Sequence, residues 1–428
     1  MMTEEENQLL TQTGPGTPCG ELMRRYWQPA ALSEELPPGG APLPVTLFGE
    51  ELVLFRDDQG RLGLIGLHCA HRGADLSYGR IEDGGLRCIY HGWLYDVNGK
   101  IIDMPGEVNG GAGFRERICQ KAYPCQGRAG VIFAYMGPGV PPLLPNYGFF
   151  SAPEGHVSAT KLYHDCNYLQ ANEGNIDLLH VSFLHFSERD RQPAIIAPVP
   201  GTLSGRGSAP GSETVEADLT DVGLRICKIR RLGPEKNYLR VLEFILPNAC
   251  AAPARQEEGM GYLVNWHVPI DDTRHWKYMF LFNWDRPLDK EMIRKERFNF
   301  GMTEDYRCVL NKQNRYRQDR QSMKSASYSG LGHNFQAQDL CTTETMGELQ
   351  DRAKEHLVPS DVPVVISRKV LSKAIRDVEE GRSAPQMALD STWQRRRRIV
   401  SLYGTVPSSV NWKQYCKKLE FADGREQI

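Results

Sequence analysis

No apolar run in this chain of 428 residues is long enough to span a bilayer, which excludes a transmembrane helix. Charge of one sign is lacking too: 51 Lys and Arg against 53 Asp and Glu leave a formal charge of −2. That balance supplies no field for wrapping nucleic acid, so a small molecule or another protein is the expected partner. No G-x-G-x-x-G run follows a strand pattern and no plant-type ferredoxin cysteine spacing occurs, so no reductase domain is expected in the chain. The 11 cysteines are odd in number and, apart from Cys69 and Cys88, show no framework spacing. Free thiols in a reducing compartment are the expectation, not disulfides. The amino terminus, MMTEEENQLL, is acidic where a signal peptide would be basic, which points to a soluble cytoplasmic protein with no membrane partner. The length suits two or three domains.

The stretch that carries chemistry runs from His68 to Trp93, HCAHRGADLSYGRIEDGGLRCIYHGW. A Cys-x-His pair (Cys69, His71) and a Cys-x-x-His pair (Cys88, His91) are each followed by tight-turn residues, Arg72-Gly73 and Gly92-Trp93. Two thiolates on one iron and two neutral imidazoles on the other make a [2Fe–2S] cluster less negative than four thiolates do, and raise its potential. Glycines let both loops close over the cluster with backbone N–H groups aimed at the sulfurs. The pattern CxHRGA…CxYHGW resembles the Rieske motif. A structural zinc site is the alternative, but zinc needs only a tetrahedral cage and does not require the flanking HRG and YHGW. His68 sits beside Cys69 on an extended segment, where its side chain points away, so it is expected to be a loop or core histidine.

Around this stretch the period is that of strands. A short helix is expected over Cys19–Tyr26, with Tyr26 and Trp27 as anchors. From Pro44, PVTLF, EELVLF and RLGLIGL alternate with turn signals, and Asn98-Gly99 signals a two-residue hairpin. Gly137–Pro145 (GPGVPPLLP) reads as a boundary, because proline cannot pair in a central strand. Beyond it DVGLRICKIRR, NYLRVLEFILP, GYLVNWHVPI and HWKYMFLFNW read as strands of an antiparallel sheet with one covered face. Ser187–Ser212 reads as a long insertion, either a lid or disordered. Residues 340–357 and about 361–381 read as helices. Arg395–Arg398 reads as a solvated face or a protein contact.

A second constellation follows the boundary in NYLQANEGNIDLLHVSFLH, expected to be helical from about Asn167. Glu173, Asp177, His180 and Leu184 recur at helical spacing, which would put three titratable groups on one face. His185 lies five residues after His180, so the helix must end or bulge between them if both imidazoles are to reach one ion. Two histidines and one carboxylate form the facial triad of non-haem Fe(II) oxygenases, and a one-electron store upstream needs such an acceptor. Periodicity does not choose the third ligand.

The opening GPGTPCGELMRRYWQPAAL, the cluster loops, the histidine segment, WHVPIDD at 266–272 and ETMGELQDRAKEHL at 344–357 carry a wider resemblance. Over about residues 8–380 the chain resembles the catalytic (alpha) subunit of Rieske non-haem iron oxygenases, in the phthalate-dioxygenase-like group that has no β subunit. The resemblance implies an α+β fold. An amino-terminal segment (1–43) would pack on the core, ahead of a small all-β Rieske domain (44–150). A larger α+β catalytic domain (151–428) would have an antiparallel sheet gripping helices, of helix-grip type. It implies Asp339 as third iron ligand after His180 and His185, with Asp319 and Asp351 as rivals that lack the context; Asp351-Arg352 reads instead as an internal ion pair. It implies that Asp177 links His180 to a cluster histidine of a neighbouring subunit in a homotrimer, and that a separate NAD(P)H-dependent reductase feeds the cluster. The implied reaction uses O₂ to hydroxylate or O-demethylate an aromatic carboxylate. Arg225 and Arg240 are the candidate carboxylate clamps. A Rieske electron-transfer protein without oxygenase activity is the alternative.

Overall fold

Short β-rich runs between turn signals build the first half of the protein. The computed structural model describes residues 2–185, 213–254, 261–299, 301–385 and 399–420, so Ser187–Ser212 and Arg395–Arg398 lie outside the described residues. No described helix is long and apolar enough to cross a membrane. The chain divides into two compact units, residues 13–142 and residues 1–12 together with 143–428.

The first unit is all-β apart from the helix Pro18–Arg24 and short helical turns. Leu43–Leu47, Glu50–Arg56, Leu62–Gly66 and Ala122–Tyr123 form one sheet in that order, and Arg80–Glu82, Gly85–Arg87, Leu94–Tyr95 and Ile101–Asp103 form another. The hairpin at Asn98-Gly99 is present, but it is wider than two residues. The Asp96 carboxylate accepts from the N–H groups of Asn98 and Lys100, and only Gly99 takes the left-handed conformation, at φ 77°. This Asx turn replaces the tight turn that the dipeptide suggested. Cys69 and Cys88 are buried in the same core cluster as Val53, Phe55, Leu86, Trp93 and Tyr95, so the ligand loops are rooted in packed side chains.

In the second unit an antiparallel sheet runs in the order Val157–His164, His275–Asn283, Gly261–Pro269, Ala249–Pro253, Lys236–Ile245, Gly223–Arg231 and Glu213–Thr220. Leu402–Pro407 pairs with the first half of Lys236–Ile245, and Ala249–Ala251 pairs with its second half. Helices Tyr168–Ile176 and Phe335–Thr345 pack on each other, and the former lies on the sheet. The fold is therefore a small all-β domain plus an α+β domain whose antiparallel sheet holds helices.

Two helix expectations are corrected. The first helix stops at Ile176, because Asp177 turns extended (φ −77°, ψ 115°) and its Oδ1 accepts from the Leu179 N–H at 2.7 Å. An aspartate bonded to its own downstream backbone competes with the helix. Likewise no helix covers 340–357: Phe335–Thr345 ends before Gly347 at φ 101°, and only a turn at Arg352–Lys354 follows. The last expected helix is present as Val362–Glu379, ended by Gly381 at φ 78°. An amino-terminal helix, Glu4–Thr11, was overlooked although Thr3 and Glu6 form a capping box legible as T-x-x-E.

Early termination also changes the role of Glu173. Its carboxylate accepts from Arg368 Nε (2.5 Å) and Nη2 (2.9 Å) and from Arg352 Nη2 (3.0 Å), all buried. Arg352 reaches on to Asn7, and Arg368 to Glu355. Asp351 pairs with Lys354 instead of Arg352. Burial would raise the Glu173 pKa, but the two guanidiniums outweigh it and the net shift is downward. Removing one member of such a knot strands buried charge. Glu173→Ala is expected to destabilise the protein by about 3 kcal/mol, read as a lower denaturant midpoint; an unchanged midpoint contradicts this.

Candidate metal centres and active-site cavity

Each cluster loop is the same small device. The Cys69 carbonyl accepts from the Gly73 N–H at 2.8 Å, and the Cys88 carbonyl from the Gly92 N–H at 3.0 Å, with φ 75° and 77° at the two glycines. Both thiols are buried, whereas His71 and His91 are exposed with ring centroids 4.4 Å apart. Trp93 stacks on His71 at 4.6 Å. The His68 ring is bonded to the Gly73 carbonyl and to Glu51. A single zinc would draw its donor atoms to within about 3.8 Å of one another. Here the two thiols lie buried and the two imidazoles exposed, a division that suits one iron held by two sulfurs and another by two nitrogens. Tyr95 accepts from the Ala70 N–H and aims its O–H at Cys69 Sγ, 3.1 Å away. Burial and then the neighbouring thiol push the Tyr95 pKa up, which keeps it a donor.

The second centre gathers at the helix end. His180 opens a 3₁₀ turn, His185 follows it, and Asp339 sits inside Phe335–Thr345. His180 Nε2 and His185 Nε2 are 3.1 Å apart, with Asp339 Oδ1 at 3.8 and 3.1 Å from them. An octahedral ion with bonds of about 2.1 Å needs facial donors about 3.0 Å apart, so this triangle fits one metal. Gln338 donates its amide N–H to the Gly332 carbonyl and accepts from His185 Nδ1–H at 2.6 Å, which leaves Nε2 as the lone-pair donor. Phe335 stacks on the same ring at 3.5 Å. Asp177 Oδ2 lies 3.5 Å from His180 Nδ1. Burial would raise the Asp339 pKa, but His185, then Lys277 and His180, hold it down to about 2. Asp319 and Asp351 instead cap turns away from this set.

A cavity of about 310 Å³ opens beside the triangle. Its sheet wall alternates as strands must: Ser158, Thr160 and Leu162 on one strand, Met279 and Leu281 on the next, then Leu263 and Asn265, then Arg240 and Leu242. His180, Asp177 and Asp339 line the helical side. Arg225 is not there. It pairs with Glu243 across the sheet and with Glu420, whereas Arg240 is in register with Lys228, so the two arginines point to opposite faces.

The chain is similar along its length to known proteins. The Rieske [2Fe-2S] domain family matches residues 26–124 and the "LigXa C-terminal domain like" family matches 134–428. The phthalate 4,5-dioxygenase oxygenase subunit of Pseudomonas putida is 35% identical, covering 97% of this chain and 95% of its own length. The chain belongs to the Rieske non-haem iron oxygenases. The 3-chlorobenzoate-3,4-dioxygenase oxygenase subunit of Comamonas testosteroni is 32% identical (96% and 97% covered). The 5,5'-dehydrodivanillate O-demethylase oxygenase subunit of Sphingobium sp. is 30% identical (89% and 81% covered). The carbazole 1,9a-dioxygenase terminal oxygenase of Nocardioides aromaticivorans IC177 shares the fold at TM-score 0.59 and 21% identity, covering 86% of this chain and 99% of that one.

This Rieske oxygenase is thus a catalytic alpha subunit, with a [2Fe–2S] cluster and a mononuclear non-haem iron as cofactors, and the electron-carrier alternative is set aside. Sequence reasoning missed Tyr95, Gln338 and Phe335. Gln338 directly precedes Asp339, but nothing in the sequence said that it would face His185. In Tyr95→Phe the cluster potential should fall by about 60 mV, the one-electron equivalent of a hydrogen bond of about 1.4 kcal/mol, with the optical spectrum retained. Voltammetry that finds the two potentials equal contradicts the role given to the Tyr95 hydroxyl.

Proposed function

We propose that Cys69, His71, Cys88 and His91 hold the cluster, that His180, His185 and Asp339 hold the iron, and that the cavity beside them receives an aromatic carboxylate in aromatic catabolism. The observation that carries this reading is the facial triangle of donors, 3.1 to 3.8 Å on its edges, at the wall of a mostly apolar cavity that also contains Arg240. When bound, the cluster supplies single electrons and the iron a site for O₂. The protein's own side chains set the rest. Gln338 and Asp177 orient the two imidazoles, the apolar wall keeps water from the reacting ring, and Arg240 takes the substrate carboxylate. Arg240 has no ion pair among the described residues and its buried Nε has no hydrogen-bond partner among them, so an incoming carboxylate would satisfy it. The relatives named for phthalate and chlorobenzoate oxygenation and for O-demethylation support ring hydroxylation and demethylation as the outcomes to separate.

The assembly belongs to the same proposal. A homotrimer would bring His71 or His91 of one subunit to Asp177 of the next, whose side chain is about a third exposed at 32%. Electrons would come from a separate NAD(P)H-dependent flavin and iron–sulfur reductase; solved neighbours of the fold include a complex of oxygenase with ferredoxin. Single turnover of chemically reduced protein with benzoates, with and without methoxy groups, tests the reaction. Formaldehyde marks demethylation and a gain of oxygen marks hydroxylation; no product from any acid rejects the carboxylate reading. Asp177→Asn should keep its iron yet lose at least about 100-fold in turnover, since an orienting partner of a ligand histidine matters by about 10–100-fold and the relay is lost as well. Normal turnover in that variant sinks the relay. Arg240→Leu should raise KM for the acid by about 10–100-fold, the loss of one charged hydrogen-bonded contact; an unchanged KM removes Arg240 from the site.

A further inference from the structure

On the cavity face of the sheet, between it and the helix Tyr168–Ile176, runs a file of buried polar side chains whose hydrogen bonds fix one another. His275 Nδ1 lies 2.8 Å from the Cys166 carbonyl oxygen, which only accepts, so Nδ1 carries the proton. The Nε2 of neutral His275 then accepts from His267 Nδ1–H at 3.0 Å. His267 Nε2 in turn accepts from Asn175 Nδ2 at 2.8 Å. The other hydrogen of Asn175 Nδ2 goes to the Ala171 carbonyl at 2.6 Å, so both ends of the file are anchored on backbone carbonyls. Asn175 Oδ1 is therefore an acceptor, and Asn265 Nδ2 donates to it at 2.6 Å. Burial pushes the pKa values of His267 and His275 far below the usual range, which agrees with the neutral rings that the count requires.

One acceptor is left over. Asn265 is 5% exposed, lines the cavity with Arg240, and its Oδ1 has no hydrogen-bond partner among the described residues. Rotating the amide would bring two acceptor oxygens together at Asn175, so the file fixes Asn265 with its nitrogen on Asn175 and its oxygen unpaired. The cavity thus offers a cation and, separately, a fixed acceptor. We infer that the substrate is an aromatic acid bearing a hydroxyl group, with Arg240 taking its carboxylate and Asn265 Oδ1 accepting from its O–H. This rests on the carboxylate reading of the cavity. Asn265 is then a specificity residue, selecting for the hydroxyl against a methyl or ether substituent that would cover the oxygen without donating to it.

Anaerobic titration calorimetry on the iron-loaded enzyme tests this without turnover. The ligands are 2-, 3- and 4-hydroxybenzoate, each paired with the methyl- and methoxybenzoate of the same substitution. At least one hydroxy acid should bind about tenfold or more tighter than its methyl and methoxy partners, the value of one hydrogen bond to a buried acceptor. In Asn265→Leu that ratio should fall to within about twofold. Equal binding within every pair in the wild type overturns the inference, even if Asn265→Leu fails to fold. So does a preference that persists in Asn265→Leu. If no acid binds and Arg240→Leu changes nothing, the carboxylate reading fails first and takes this one with it; if acids bind through Arg240 without hydroxyl preference, only the role of Asn265 is lost.

Discussion

Everything in the catalytic unit serves to hold three donor atoms about 3 to 4 Å apart where the metal would sit. Two imidazole lone pairs and a carboxylate facing one another at that distance do not arise from packing alone, because each would rather meet a proton donor. The fold opposes that tendency locally. Asp177 stops the helix so that His180 and His185 leave it together, Gln338 and Phe335 pin the His185 ring, and the helix Phe335–Thr345 brings Asp339 in from the far side. The Glu173 knot with Arg352 and Arg368 ties the same short helix to Val362–Glu379.

The cluster unit solves the same problem with shorter means. Its four proposed ligands come from two turns, each closed by a cysteine carbonyl and a left-handed glycine, and its thiols are members of the hydrophobic core. That difference explains what could be read from the sequence. Cys69, His71, Cys88 and His91 are legible as a candidate set because the residues within each pair are local and each turn needs its own residues in fixed order. His180 and His185 are legible as a pair, but the helical face drawn through Glu173 and Asp177 is not real. Spacing alone does not reveal that an aspartate will bond its own downstream backbone and end the helix.

Asp339 was reachable only through family resemblance, because it lies over 150 residues from His180 and no period connects them. The arginines make the same point on the sheet. Arg225 and Arg240 both sit in alternating strands, but which face each takes depends on the register set by the turn between Arg231 and Lys236. Register shifts of one residue exchange faces, so composition of the strand does not decide it. Arg225 ended up paired with Glu420 of the helix Trp412–Glu420, and Arg240 in the cavity. Asn265 carried no signal at all, since its meaning comes from a hydrogen-bond file drawn from a helix and two strands.

The measurement that bears most directly on this account is iron and acid-labile sulfide content in the wild type and in Asp339→Ala. The account predicts about three irons and two sulfides per chain in the wild type, and in the variant about two irons with both sulfides and the cluster spectrum kept, since only the mononuclear site is broken. Three irons retained in the variant would contradict the proposed triad, and zinc in place of iron with no sulfide would contradict the whole reading.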